Sequence, residues 1–410
     1  MKNLLVYGFF GCLLFSACNN EIDTPVSKAK PIELTATEMQ ISREGKDFSM
    51  QIFANLYDVH KSDENIVFSP LSLNMALAMV WNGANGETKQ AIQKAMGMSD
   101  YPAEAVNAYF KKLKEALITA DPRVKLALAN SIWSDLLLKV KPAFININKE
   151  FYDAEVRSID FKSPEAPKII NQWCSDHTNG LIKEMIKNIS PDVCMYLMNA
   201  LYFKGEWSNK FGFPKSKTKD ASFQKADGSR ITVKMMTQSN SLDYYSDEYL
   251  SFVSIPYGNG AFSMYFLLPE RSFDEMLARL KQPGYWNQCL IEKQPVDVDI
   301  FIPRFKINYE FLPDMNESLI RAGMGIAFGC AADFSKIADE SLFIKEVRQK
   351  TYIDVNEEGT EAAAVTVVVV GKSASIKPAF CADRPFLFVI QENSTGTVLF
   401  MGKIGNPKGA

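Results

Sequence analysis

The chain has 410 residues, of which 47% are hydrophobic and 23% charged, and a formal net charge of -3. Those are the values of an ordinary globular protein long enough to bury a large core. They give no reason to expect nucleic acid or an anionic membrane surface as a partner.

The N-terminus does not read as fold. Lys2 is followed by an apolar run from Leu4 to Phe15, then Ser16-Ala17-Cys18. A charged start, a short apolar core and small residues before a break make residues 1–17 a secretory signal, too short to span a bilayer comfortably. A cysteine straight after Ser-Ala resembles a bacterial lipobox, with Phe15 a slight departure from its commonest pattern. That resemblance implies that Cys18 carries lipid and that the protein sits in the bacterial cell envelope, held to the outer membrane by the anchor alone. The alternative is a plain cleaved signal with Cys18 incidental. Residues 18–34 are polar, carry Pro25 and read as a tether. No repeat or low-complexity linker divides residues 35–410, which read as one domain.

Beyond Cys12 and Cys18, five cysteines remain: Cys174, Cys194, Cys289, Cys330 and Cys381. They are odd in number and form no C-x-x-C pair, so core thiols are expected rather than a disulfide framework or a zinc ribbon. With only His60 and His177, metal sites and histidine-based catalysis have few candidates, and no cofactor is indicated.

In chain order, Ser42 to His60 has Phe48, Ile52, Phe53 and Leu56 at helical spacing. Asn65 to Phe68 reads as a short strand entering a helix, with Ser69 as N-cap and Pro70 at its first position. Glu87 to Met96 is a further helix. Val124 to Trp133 and Val156 to Phe161 read as strands, and Pro164 to Thr178 as a helix stopped by Asn179-Gly180. Met195 to Phe203 is nearly continuous apolar sequence, expected as a strand buried on both faces, with Asn199 needing a polar partner. Gly228 to Met236, Asp243 to Tyr257 and Ala261 to Pro269 read as a meander. Ser272 to Leu280 is a helix, Val296 to Phe305 a strand and Glu317 to Gly323 a helix. Leu342 to Val355 reads as one long strand, and the C-terminus as two buried strands.

The stretch from Asn356 to Lys377 is unlike the rest. Glu357-Glu358-Gly359 reads as an exposed bend of solvated acids. Thr360 and Glu361 lead into three alanines, Ala362, Ala363 and Ala364. Val365 to Val370 then carries five valines and Thr366, the strongest of strand-formers. Gly371-Lys372-Ser373 closes the run. An ordinary buried strand rarely has such a preface, and an exposed valine run invites aggregation. The combination suggests a segment that waits outside and becomes a strand later. As a strand, Thr360, Ala362, Ala364, Thr366, Val368 and Val370 share one face.

Two other sites invite a catalytic reading and fail it. Gly323-Met324-Gly325 follows a helix and lacks nucleotide-loop spacing. Cys174 and His177 lie one helical turn apart on a segment already accounted for, with no oxyanion glycines.

Glu357 to Ala364 resembles the hinge of the reactive loop in serpins, the conformationally trapped protease inhibitors. Further matches cover residues 35–410: Ser69-Pro70-Leu71-Ser72, Gly83-Ala84-Asn85-Gly86, Thr88 to Ile92, and Phe203-Lys204-Gly205-Glu206-Trp207. The resemblance implies an α+β fold with a large mixed central sheet A, sheets B and C, about nine helices and an exposed reactive loop over residues 357–377. It implies no enzyme. It implies a monomeric suicide substrate that traps serine endopeptidases, with cysteine endopeptidases as a second class. The attacked bond would follow Lys372 or Ser373, the latter preceding Ala374. Lys372 is slightly favoured and suits a trypsin-like enzyme, while the valines suit an elastase-like one. Ser69, Ser72, Asn199 and Gln349 match the polar cluster under the sheet, with Gln349 where the family often has histidine. Trp207 matches the aromatic at the top of the opening. A non-inhibitory carrier lipoprotein is the alternative, but such members tend to carry bulky, charged or proline residues in the hinge.

In that mechanism cleavage lets Thr360 to Val370 enter the main sheet. Roughly ten net hydrogen bonds at about 1 kcal/mol each, with about 5 kcal/mol of burial, stand against an ordering cost of about 11–20 kcal/mol. The balance is close, so the drive must come from a strained sheet or from a loop already partly ordered.

Overall fold

The computed structural model describes residues 28–60, 65–209, 211–309, 315–360 and 377–408. The signal, Cys18, the hinge residues Glu361, Ala362, Ala363 and Ala364, and Lys372, Ser373 and Ala374 lie outside the described residues.

Two sheets and nine α-helices make up the described fold. The six-stranded sheet runs in the order Phe305–Tyr309, Thr351–Asn356, Gly359–Thr360, Met195–Glu206, Val124–Asp135 and Glu155–Ile159. Its last pair is parallel and the rest are antiparallel, so the sheet is mixed. Helix Ala166–His177 covers its outer face, where Ile170, Trp173 and Cys174 pack with Trp133, Met198 and Ala200. Helix Pro70–Trp81 lies beneath the inner face. Ser69 caps it by accepting from the Ser72 amide at 3.1 Å, and it is apolar nearly all round, as a helix inside a large core must be.

The expected smaller sheets B and C are hydrogen-bonded into one nine-stranded sheet. The reason is strand Arg230–Ser246, whose 17 residues are long enough to serve both. It pairs with Lys219–Gln224 and Leu250–Pro256, and with Gln294–Pro303 along its length. The two C-terminal strands, Phe386–Glu392 and Val398–Ile404, are buried throughout.

Three helices were not expected: Ala103–Thr119, Pro142–Tyr152 and Tyr285–Glu292. The first has a legible stripe, with Val106, Phe110, Leu113 and Leu117 at helical spacing and buried. Residues 28–34, expected as tether, lie against the body. The Ala29 amide donates to the Asn259 carbonyl at 3.3 Å, and Ile32 and Leu34 pack on the core. No helix among the described residues is long and apolar enough to cross a membrane.

Two strand expectations need correction, for one reason. Leu342 to Val355 is strand only over Thr351–Asn356, and residues 342–350 have no ladder partner among the described residues. Met195, Tyr196, Leu197 and Asn199 are half-buried rather than enclosed. Both segments face the same gap. A cavity of about 200 Å³ lies there, lined by Met195, Leu197 and Asn199 on one side and Ile344, Val347 and Gln349 on the other. The apolar composition of each segment is that of a buried central strand. Among the described residues no strand lies between the two segments below Thr360.

Candidate functional site at the sheet opening

The gap closes at its top, where the hinge enters. Gly359 stands opposite Glu206 and Thr360 opposite Gly205, while Val355 faces Thr360 on the other side. Two hinge residues are therefore already strand. The exposed bend of solvated acids expected from Glu357-Glu358-Gly359 is corrected: Glu357 and Thr360 are 3% and 2% exposed.

Backbone geometry explains why this corner needs its sequence. Gly359 has φ +148, a conformation that side chains rarely adopt. A Cβ there would lie 2.2 Å from the Gly205 carbonyl oxygen and 2.7 Å from Glu206 Cα. Only glycine lets the turning chain approach the neighbouring strand so closely. The three carbonyls before it are engaged. The Trp207 indole donates to Asn356 at 3.0 Å, the Trp207 amide to Glu358 at 2.9 Å and the Phe213 amide to Glu357 at 2.9 Å.

Side chains lock the same corner. The Glu357 carboxylate accepts from Arg304 Nη2 at 2.5 Å and from the Thr218 hydroxyl at 2.6 Å. Glu358 pairs with Lys215. The Thr360 hydroxyl shares a hydrogen bond of 2.7 Å with the Tyr257 hydroxyl. Tyr257 is fully buried and stacks on Trp207, ring centroids 4.6 Å apart and 12° from parallel. Burial pushes the Tyr257 hydroxyl pKa well up, against the pull of its bond to Thr360, so it remains a neutral hydrogen-bonding group. Trp207 lies directly against the hinge. Tyr257 and Arg304 were missed, because nothing local marks them: each meets the hinge only through tertiary contact.

Burial alone would raise the Glu357 pKa, but the bonds from Arg304 and Thr218 outweigh it and hold the carboxyl below its ordinary value. A depressed carboxyl stabilises the fold fully above the ordinary glutamate value of about 4.3 and loses that contribution as pH falls through the folded value. Hinge protection, read by amide hydrogen exchange at Gly359 and Thr360, is therefore expected to be flat through neutral pH and to collapse only in acid below about pH 4. Glu357→Gln should lose that acid step; an unchanged step in the variant would assign it elsewhere.

The expected polar cluster is split in two. Gln349 bridges Ser69, accepting from its amide at 2.6 Å and donating to its carbonyl at 2.9 Å, and Ser72 joins through the Ser69 hydroxyl. Asn199 instead donates from Nδ2 to Asn130 Oδ1 at 2.7 Å. Asn130 uses its own Nδ2 on the Tyr152 carbonyl at 2.7 Å, which fixes both amide orientations. Asn199 Oδ1 is left buried with no partner among the described residues.

The five cysteines beyond the signal are free; Cys174 and Cys289 are buried, while Cys330 is exposed rather than a core thiol. Burial pushes the Cys174 thiol up to about 12, and His177 Nδ1 is held 2.8 Å from the Trp173 carbonyl. No thiolate nucleophile is available there. Among the described residues, no group of three or more histidine, cysteine or acidic side chains is placed to hold a metal ion.

Comparison with known proteins agrees with this geometry. The family model described as "Serpin (serine protease inhibitor)" matches residues 43–407. Serpin-ZXA of Oryza sativa subsp. japonica is 37% identical over 367 residues, covering 84% of this chain and 90% of the relative. The leukocyte elastase inhibitor of Bos taurus is 34% identical, covering 90% and 100%. The native-state structure of the thermophilic serpin tengpin superposes with a TM-score of 0.82 at 32% identity, covering 92% and 97%. The fold, the hinge and these relatives agree: the chain belongs to the serpin family, whose described role is protease inhibition rather than catalysis.

Proposed function

We propose that the protein is an irreversible suicide-substrate inhibitor of serine endopeptidases, with the reactive bond after Lys372 or Ser373. The single observation that carries this reading is the open gap, entered at its top by the hinge. Two residues are docked, and the ladder they begin has unfilled positions beneath it.

The register can be continued. One step along the hinge is one step back along Met195–Glu206. Ala362 then meets Phe203, Ala364 meets Leu201, Val368 meets Leu197 and Val370 meets Met195. The 12 residues of that strand take the loop down to the last valine. Along the inward face, Ala362 to Val370 carries one hydroxyl, Thr366, and it arrives opposite Asn199, whose Oδ1 has no partner among the described residues. On the other side the register from Val355 brings Thr366 opposite Gln349. Small residues enter first and β-branched residues fill the lower gap beside Leu197 and Val347. Because Thr360, the first residue of the inserting segment, is ordered before cleavage, the ordering cost of the remaining insertion falls by about 1–2 kcal/mol.

The chemistry belongs to the protease. Its serine oxygen attacks the carbonyl carbon of the reactive bond, the C–N bond breaks, and the leaving amine takes a proton from the enzyme's base. An ester now joins the enzyme to the N-terminal arm. Insertion of that arm carries the enzyme along and distorts it before water hydrolyses the ester. In this reading the Cys18 lipid places the inhibitor on the bacterial cell envelope.

Incubation with trypsin and with elastase should give a band surviving SDS at the summed mass of protein and protease. Clean cleavage with full protease activity in both cases would contradict the proposal. A band with trypsin alone would assign Lys372, and a band with elastase alone would favour the bond after Ser373.

A further inference from the structure

We infer that Met195 and Met185, which flank the gap on its two faces, form an oxidation site for hydroperoxides, and that a sulfoxide at Met195 turns the inhibitor into a substrate. The second half rests on the inhibitory reading above; the first does not.

Residues 357–377 contain neither methionine nor cysteine, so a peroxide finds no sulfur in the loop itself. The groove is different. Met185 and Met195 both line the cavity of about 200 Å³. Met195 lies on the inner side with Leu197, packed on the main core. Met185 lies on the outer side, packed on the cluster beneath helix Ala166–His177, with its amide donating to Asn171 Oδ1 at 2.7 Å. Both are half-buried, and of the other described methionines Met39 is half-buried and thirteen are buried. The gap therefore leaves two sulfurs within reach of a molecule scarcely larger than water. A thioether needs no deprotonation to react. Its sulfur lone pair attacks one peroxide oxygen, an S–O bond forms and the O–O bond breaks. The departing hydroxide takes the proton from the transferred oxygen and leaves as water. Sulfur loses two electrons, the peroxide gains them, and a flexible apolar side chain becomes a polar one. Cys194 lines the same cavity, but burial raises its thiol pKa and keeps it in the unreactive thiol form.

The consequence for trapping follows from the proposed register. Val368 arrives opposite Leu197 and Val370 opposite Met195, so the last steps of insertion close an apolar layer over residue 195. A sulfoxide oxygen there is desolvated without a donor. On that face of the strand the nearest side-chain N–H is Asn199 Nδ2, already given to Asn130 Oδ1 at 2.7 Å. Burying an unpaired acceptor opposes those last steps, while hydrolysis of the acyl-enzyme is untouched. By the same contact, a loop that has filled the gap shields Met195 from peroxide.

The test treats the full chain with hydrogen peroxide at about pH 6, well below the ordinary thiol value of about 8.5, and maps sulfoxide by peptide mass spectrometry. Met195 and Met185 should oxidise alongside Met39 and ahead of the buried methionines. Met195 should oxidise several-fold more slowly once the chain has been cut between Gly371 and Ala374. Protein carrying the Met195 sulfoxide should be consumed in about tenfold greater number per trypsin or elastase trapped. The two epimer-specific methionine sulfoxide reductases should reverse that loss, and dithiothreitol alone should not. In Met195→Leu the stoichiometry after peroxide should match that variant's own value before it, whereas Met39→Leu should lose as much as the parent. Oxidation that spares Met195 while reaching buried methionines would overturn the site. A stoichiometry unmoved by the Met195 sulfoxide, or lost equally in Met195→Leu, would overturn the switch. A parent that traps neither protease before oxidation would sink the inhibitory reading instead, and the sulfoxide map with its dependence on the cut would still decide the oxidation site.

Discussion

Thr360→Arg is expected to convert the inhibitor into a substrate. Thr360 is 2% exposed, faces Val355 and Gly205 in the ladder, and bonds the buried Tyr257 hydroxyl. An arginine there points its charge toward Trp207, Phe203 and Tyr257, where no acid is available among the described contacts. Burying such a charge costs several kcal/mol, and each 1.4 kcal/mol is a factor of about ten in partition. Insertion is slowed while hydrolysis of the acyl-enzyme is not. The number of inhibitor molecules consumed per protease trapped should rise by about tenfold or more. The variant should still be cut at the same bond at a similar rate, because the cleavage site is more than ten residues away. An unchanged stoichiometry would show that trapping does not require residue 360 to be held in the sheet.

Gly359→Ala is expected to undo the docked hinge in the uncut protein. Three backbone atoms stand within 3.0 Å of the added methyl: the Gly205 carbonyl oxygen, Glu206 Cα and the Trp207 nitrogen. None is the end of a flexible side chain, so the strands must part or the hinge must leave. The positive φ adds its own penalty of about 1–3 kcal/mol. The hinge is the part that yields, because the strand Met195–Glu206 is held along its other edge by Val124–Asp135, and the bonds of the corner to Tyr257 and Trp207 go with it. The uncut variant should melt about 1–4 °C lower, and exchange at the Trp207 amide should speed up as its Glu358 acceptor is lost. A Gly359→Ala variant that melts and exchanges like the parent would mean that the close approach to Gly205 is not a feature of the resting protein.

The resting state of the hinge was the part least legible in the sequence. Small residues ahead of a valine run, with one hydroxyl among the inward positions, are what the proposed register would set against the groove. The docked turn was misread because two adjacent glutamates ordinarily mean solvent. What buries Glu357 is Arg304, more than fifty residues away in sequence, and Thr218 further still. Local composition carries no trace of either. The same limit hid Tyr257, one of many tyrosines in a meander until the fold sets it against Trp207. In contrast, Ser69 and Pro70 declared a helix start that the structure has, because capping is decided within three residues. Leu342 to Lys350 reads as strand from side chains alone, and is not one, because a strand also needs a neighbour's backbone.

That missing neighbour is the central claim, and amide hydrogen exchange across Met195 to Phe203 tests it most directly. In the intact protein the amides of this segment that face the gap should exchange fast, since no ladder partner covers them below Gly205. After a single cut between Gly371 and Ala374, the same amides should become strongly protected, with protection running down to Met195 as the register requires. Equal exchange before and after the cut would contradict a loop that fills the gap.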